Sequence, residues 1–329
     1  MASVQTTTIH VPDGRDKAAV ARFAAEIAAM EPCKKVEFSF KNVDFATPGW
    51  MLLIVRALRS YREARPGTHC KVVGAHSSAM QYASNAGFFD ALGGKWGRGM
   101  GEAQDSSTFL PITSRTILDL FADQPRFRHA GDIIHEDAEN LSAVLAQTRS
   151  GILFDTLSYS IREIIRNVVE HSGAEEFLIA AQCWPSAGTA EIAIADAGIG
   201  IAGGLRSNGK YWPGDDAEAL SLAVQPGVSG KMISKRSDDD WANSGYGLHM
   251  AKGLADGRQG FMLVSGNAGM TSGAEGERIV ESAIHGTCVV LRLKAGETPL
   301  EKRLSALVPG SERMPSRASM SAKVKPKED

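Results

Sequence analysis

The sequence predicts a mixed α/β protein, and three observations predict it. The first hundred residues alternate strand-like and helix-like segments. Beyond residue 150 a long helical pattern leads into two strands joined by a short turn. Near residue 245 a further helix begins, followed by two more strands. Together they describe helices laid on sheets in two successive halves.

In the first half, TTTIHV reads as a strand from Thr6, and KAAVARFAAEIAAM repeats apolar residues at helical spacing. KVEFSF alternates as a strand does. WMLLIVRALRSYREA is a long helical pattern, and HCKVVGA is a strand again. SSAMQYASNAGFFDALG reads as one helix closing on Gly93 and Gly94. The glycine-rich GGKWGRGMGEAQDSS reads as a loop or linker.

In the second half, residues from Asp132 to Ser150 read as a polar helix, and Leu153 to His171 as an amphipathic one. EEFLIAAQCW and TAEIAIAD are strands joined by PSAG. Gly203 to Asn243 is a long irregular stretch, GYGLHMAKGLAD opens a helix, and GFMLVSG and GTCVVLRLK are strands. The tail from Gly310, rich in Ser, Lys and Pro, has the composition of a disordered segment.

The chain has 329 residues, enough for more than one domain. A hydrophobic content of 43% and a charged content of 22% suit a soluble protein with a sizeable core. A net charge of -2, with no basic stretch interleaved with aromatics, argues against nucleic acid as a partner. Cys33, Cys70, Cys183 and Cys288 are far apart, without metal-ligand spacing, and read as separate buried thiols in a reducing compartment. With no signal-peptide pattern and no membrane-spanning apolar run, a cytoplasmic location without a membrane partner is expected.

The stretch REIIRNVVEHSG, Arg162 to Gly173, carries the chemistry. Ile161, Ile164, Ile165, Val168 and Val169 form the apolar stripe of a helix, while Glu163 and Asn167 stand one turn apart on one face. Downstream, Asp196 ends a strand and precedes Gly198 and Gly200. Gly198 to Gly203 satisfies GxGxxG, but GLRSNGKYWPGDD should not make the helix a dinucleotide site needs, and the acid precedes the glycines. Gly204 to Lys210 has Walker-A spacing, but Tyr211 stands where a magnesium-binding hydroxyl belongs.

Taken in order, Glu163-x-x-x-Asn167, Asp196-x-Gly198-x-Gly200, Gly245-x-Gly247-Leu248 and Gly286-Thr287 resemble the motifs of the GHKL ATPases, whose Bergerat fold is an α+β two-layer sandwich. That family includes histidine kinases, gyrase-type ATPases and the anti-sigma-factor kinases, and the likeness to the last group is the closest. It covers roughly Ala138 to Lys294. The resemblance implies ATP and Mg2+ as cofactors. It makes the side-chain oxygen of Asn167 a magnesium ligand and Glu163 the candidate catalytic base. It sets Asp196 to accept a hydrogen bond from the adenine amino group, with Gly198 and Gly200 letting the backbone pass close by. Gly245 and Gly247 would offer N–H groups to the phosphates where the Leu248 helix starts. Thr287 would lie near the adenine. His171 fits the tail of the Asn motif. The irregular stretch falls where the family has its lid; there Tyr211, Trp212 and Trp241 are candidates to cover the nucleotide or anchor the loop. Lys231, Lys235 and the run Ser237 to Asp240 read as solvated.

The first half, roughly residues 5 to 95, resembles a STAS domain, the fold of anti-sigma-factor antagonists. The family's Asp-Ser-Ser/Thr-Gly loop is here Ala46-Thr47-Pro48-Gly49, so the acid is missing. Thr47 is a phosphoacceptor candidate, or simply the cap of the helix that Pro48 opens.

The expected organisation is a STAS-like domain over 1–100, a linker over 101–135, an ATP-binding domain over 136–296 and a tail over 297–329. The expected function is an ATP-dependent regulatory protein, either a serine/threonine kinase or an ATPase switch of anti-sigma type. A protein partner would meet the STAS-like half or the lid, and a homodimer stays open. A sensor histidine kinase using His135 is the alternative, but only 27 residues separate His135 from Glu163, too few for a two-helix dimerisation hairpin. A non-catalytic, ATP-gated interaction module is the other.

Overall fold

The computed structural model describes residues 6–118, 130–228, 245–255, 260–273 and 276–294. The chain is mixed α/β, with one parallel and one antiparallel sheet. Strands β1 (Thr6–His10), β2 (Lys35–Ser39) and β3 (His69–Val73) form the parallel sheet in the order β1-β2-β3. Its crossovers are helices α1 (Lys17–Ala28) and α2 (Pro48–Ala64). Asp16 caps α1 by accepting the Ala19 N–H at 2.9 Å, and Thr47 caps α2 by accepting the Trp50 N–H at 3.3 Å.

The expected single helix from Ser77 divides into α3 (Ser78–Asn85) and α4 (Phe88–Ala91). Gly87 breaks it with a left-handed φ of 88°. The expected linker contains an ordered strand, β4 (Phe109–Thr116). Its FLPITSRT sequence lacks clean alternation, and pairing with a partner strand decides its conformation.

Helices α5 (Ala130–Ala146) and α6 (Ile152–Asn167) follow, then β5 (Glu176–Trp184) and β6 (Thr189–Asp196) as the expected hairpin. Next come α7 (Gly200–Ser207), α8 (Asp216–Ala223), α9 (Gly247–Leu254), β7 (Phe261–Gly273) and β8 (Gly276–Lys294). The antiparallel sheet has the order β4-β5-β6-β8-β7.

Helix α7 corrects the expectation that no helix follows Gly198. Ala202 and Leu205 are buried with Ala219 of α8, and the Ser265 hydroxyl accepts the Ile201 N–H at 2.9 Å, so local packing overrides five weak helix formers. A dinucleotide site still does not follow, because β6 is antiparallel to both of its neighbours.

The antiparallel sheet is buried on both faces, which explains why its strands read as nearly continuous apolar runs. Phe177, Ile179, Ile192, Ile194, Val289 and Leu291 face the core under α5, α6 and α9. Their neighbours Leu178, Ala180, Ala193, Ala195, Cys288 and Val290 face a second core, which they share with α1, α2 and the parallel sheet. Helices α1 and α2 are therefore enclosed between two sheets. Helix α2 is buried nearly all round, from Pro48 to Leu58 and again at Tyr61.

The junction between layers is tight. The Gly49 N–H donates to Glu191 Oε1 of β6 at 2.8 Å, and Glu191 is 1% exposed. All four cysteines are free; Cys183 and Cys288 are buried, whereas Cys33 and Cys70 are only half-buried. Among the described residues no helix is long and apolar enough to cross a membrane, and no cluster of His, Cys, Asp and Glu is arranged to hold a metal ion.

Candidate functional site

Four separate chain segments meet at one cleft. Helix α6 contributes Glu163 and Asn167, and its continuation contributes His171. The end of β6 contributes Asp196, and the turn into α7 contributes Gly200. Gly245 comes from the segment just before α9, Gly247 and Leu248 from its first turn, and Thr287 from β8. Gly198 stands outside the lining. It packs against the backbone of Ser172, and its N–H donates to Asp196 Oδ1 at 2.8 Å.

Past Asn167 the helix widens into a π-helical turn, Val168–Ser172, before Gly173 ends it. Such turns recur at functional sites because they re-aim side chains. Here the widening keeps His171 on the cleft side with Glu163 and Asn167. The Asn167 side chain is exposed in the cleft and makes no hydrogen bond to a described residue.

Glu163 is in a different state. It is 4% exposed and is held by Arg166 at 3.1 Å and Arg162 at 3.7 Å. Arg166 also reaches Glu170 at 3.2 Å, and His171 stands 3.8 Å from Glu170. Burial pushes the Glu163 carboxyl above its ordinary pKa, while the two arginines pull against that rise.

Asp196 is likewise buried. Desolvation pushes its pKa up to about 6, opposed by the Gly198 N–H, the Arg56 and His285 charges and the Thr287 N–H. Thr287 pairs with Asp196 across the β6–β8 ladder. The Ser265 hydroxyl ties this end together: it accepts from Ile201, donates to the Gly286 carbonyl at 3.0 Å and lies 3.2 Å from Thr287 Oγ1.

The chain matches none of the models of known protein families against which it was searched, and a search of curated proteins finds no match either. The reading of the cleft therefore rests on its chemistry.

Several sequence candidates fall away from the cleft. Tyr211 packs against the small α7–α8 core, and Trp212 is exposed to solvent, so neither lines the cleft. His135 lies within α5, 3.2 Å from Glu139, as a helix-surface pair. Thr47 is buried as the α2 cap, at the junction of the layers. Lys231, Lys235, Ser237 to Asp240, Trp241 and the 297–329 tail lie outside the described residues.

Two contributors escaped the sequence reading. Ser265 lay in a plain strand pattern and gave no signal. Arg166 is three residues after Glu163, a helical pairing distance that was legible in principle.

Proposed function

We propose that the chain is an ATP-binding regulatory protein. Its second half is a GHKL-type nucleotide site on a Bergerat fold, and its first half is a STAS-like layer. The observation that carries this reading is the meeting of Glu163, Asn167, Asp196, Gly200, Gly245, Gly247, Leu248 and Thr287 on one cleft, although they come from four distant stretches.

The residues fit Mg-ATP by their chemistry. Asn167 presents to the cleft a carboxamide oxygen, a hard ligand of the kind magnesium takes. The first turn of α9 has backbone N–H groups without intrahelical partners, and its Gly247 and Leu248 line the cleft, as a triphosphate requires. At the other end Asp196 offers a buried carboxylate acceptor, which selects the adenine amino group over the guanine carbonyl. Bound magnesium would neutralise charge on the phosphates during phosphoryl transfer. Glu163 would orient or deprotonate the attacking group: a serine or threonine hydroxyl of a protein partner in a kinase, or water in an ATPase switch.

A second reading, a nucleotide-gated interaction module without turnover, is favoured by one observation. Glu163 is enclosed in ion pairs with Arg166 and Arg162 instead of standing free in the cleft.

Magnesium-dependent ATP binding and turnover, measured on wild type, Glu163→Ala and Asn167→Ala, tests both. Binding that survives in Glu163→Ala while turnover is lost supports phosphoryl transfer. Binding without turnover in any form supports the gated module. Absence of binding by the wild type overturns the nucleotide reading.

A further inference from the structure

Strand β8 carries an irregularity at the cleft. Ile284 pairs with Gly266 and Thr287 with Ser265, so His285 and Gly286 bulge out of the ladder. Bulges beside sites re-aim the residues that follow them. Gly286 is confined there, with a φ of 92° and no room for a Cβ beside the Asp196 backbone.

The bulge is held from the opposite face of the sheet by α2. Arg56 Nε and Nη2 donate to the His285 carbonyl at 3.2 and 2.8 Å. Ser60, one turn further along α2, accepts the His285 N–H on its Oγ at 2.8 Å. Both backbone groups of His285 are thus taken by one helix of the first half. Arg56 is only 2% exposed, and a buried cation is costly where an apolar side chain would fill the same space. Its guanidinium finds its hydrogen-bond acceptor at the residue that precedes Gly286 and Thr287.

We infer that Arg56 and Ser60 are positioning residues for the nucleotide site. They fix the His285 bulge, and through it Thr287 and Asp196 at the end of the cleft that receives the base. The inference rests on the ATP reading above. It makes the first half a structural determinant of base recognition, acting through α2 from behind the sheet.

The test compares ATP with inorganic tripolyphosphate, both with magnesium, by calorimetry on the full chain. Tripolyphosphate reports the phosphate end alone. Arg56→Met and Ser60→Ala are expected to weaken ATP about tenfold, the scale of one lost hydrogen bond, and to leave tripolyphosphate affinity unchanged. Arg56→Lys, which keeps the charge and one donor, should recover part of the loss. Should Arg56→Met fail to fold, Ser60→Ala carries the comparison, since it removes one hydroxyl and no charge. Unchanged ATP affinity in the folded variants overturns the inference, and so does a parallel loss of both ligands, which marks a general structural effect. A wild type that binds neither ligand removes the nucleotide reading itself, an outcome recognisable before any variant is made.

Discussion

Gly247 lies directly against Glu163: a Cβ added at position 247 would stand 2.5 Å from the Glu163 Cβ. This contact brings the start of α9 down onto α6, so that Gly247 and Glu163 share one wall of the cleft, the end to which the proposed reading assigns the phosphates. Gly247→Ala should force the two helices apart, costing about 1–3 kcal/mol by overpacking. ATP binding should be lost or weakened at least as much as stability. Gly204→Ala is the comparison. Gly204 also lines the cleft, but beyond its chain neighbours and its own helix's backbone no described atom lies within 4 Å of its added Cβ. It should fold normally in thermal unfolding. Equal behaviour of the two variants would refute the close-packing argument.

The Glu163–Arg166 pair sets a second expectation. Both side chains are under 10% exposed, at 6% and 8%. Arg166→Met leaves Glu163 buried with a weaker partner at 3.7 Å and takes the 3.2 Å arginine contact from Glu170. Breaking such a pair costs about 3 kcal/mol or more, a fall of several degrees in Tm. Adding Glu163→Gln should restore part of that stability, because the uncompensated charge is gone. A double-mutant cycle with strictly additive effects would show that the two side chains are not coupled.

Much of the fold was legible because apolar spacing records which residues are buried. The stripes of α1, α2 and α6 and the runs of β5, β6 and β8 all stood in the sequence. Spacing does not record what buries them. Leu178, Ala180, Ala193 and Ala195 could be read as buried, but not as packed against α1 and α2 of the other half. Strand β4 was hidden because Pro111 and its Thr and Ser residues read as linker, and only pairing with β5 orders them. At the site, Asn167, Asp196 and the α9 glycines were legible as motifs. Ser265, Arg56 and Ser60 were not, since each acts by a hydrogen bond to a backbone distant in sequence.

Asp196 should give the cleft a pH dependence. Its folded pKa of about 6 lies above the ordinary 3.8. The folded state therefore holds this proton more tightly than the unfolded chain does, and the group favours folding at acid pH. That contribution is full below about 4 and is lost as pH rises through about 6. Asp196→Asn should abolish this component of the stability profile. ATP affinity should move the opposite way, because the ionised carboxylate is the better acceptor. Affinity should fall by up to about tenfold per pH unit below 6 in the wild type and change less in Asp196→Asn in the same buffers. Parallel profiles for the two proteins would remove Asp196 from base recognition.

The α2 terminus decides what Thr47 does. Its hydroxyl caps the helix, and in the same first turn the Gly49 N–H donates to the buried carboxylate of Glu191. Gly49 is also pressed on Val290, whose Cγ1 would lie 2.6 Å from an added Cβ. This end of α2 is therefore the seam between the two layers. Thr47→Ala should cost about 1 kcal/mol, as the loss of a cap does. Thr47→Asp discriminates further. At an exposed helix end Asp is as good a cap as Thr, so the change would be neutral or favourable. At this seam, with Thr47 4% exposed, it buries a negative charge, and urea unfolding should show a larger loss than for Thr47→Ala. A protein kinase acting on the folded chain should correspondingly leave Thr47 unmodified. Stabilisation by Thr47→Asp, or phosphate on Thr47 in the native protein, would mean that the seam opens in solution and that this loop is available as an acceptor.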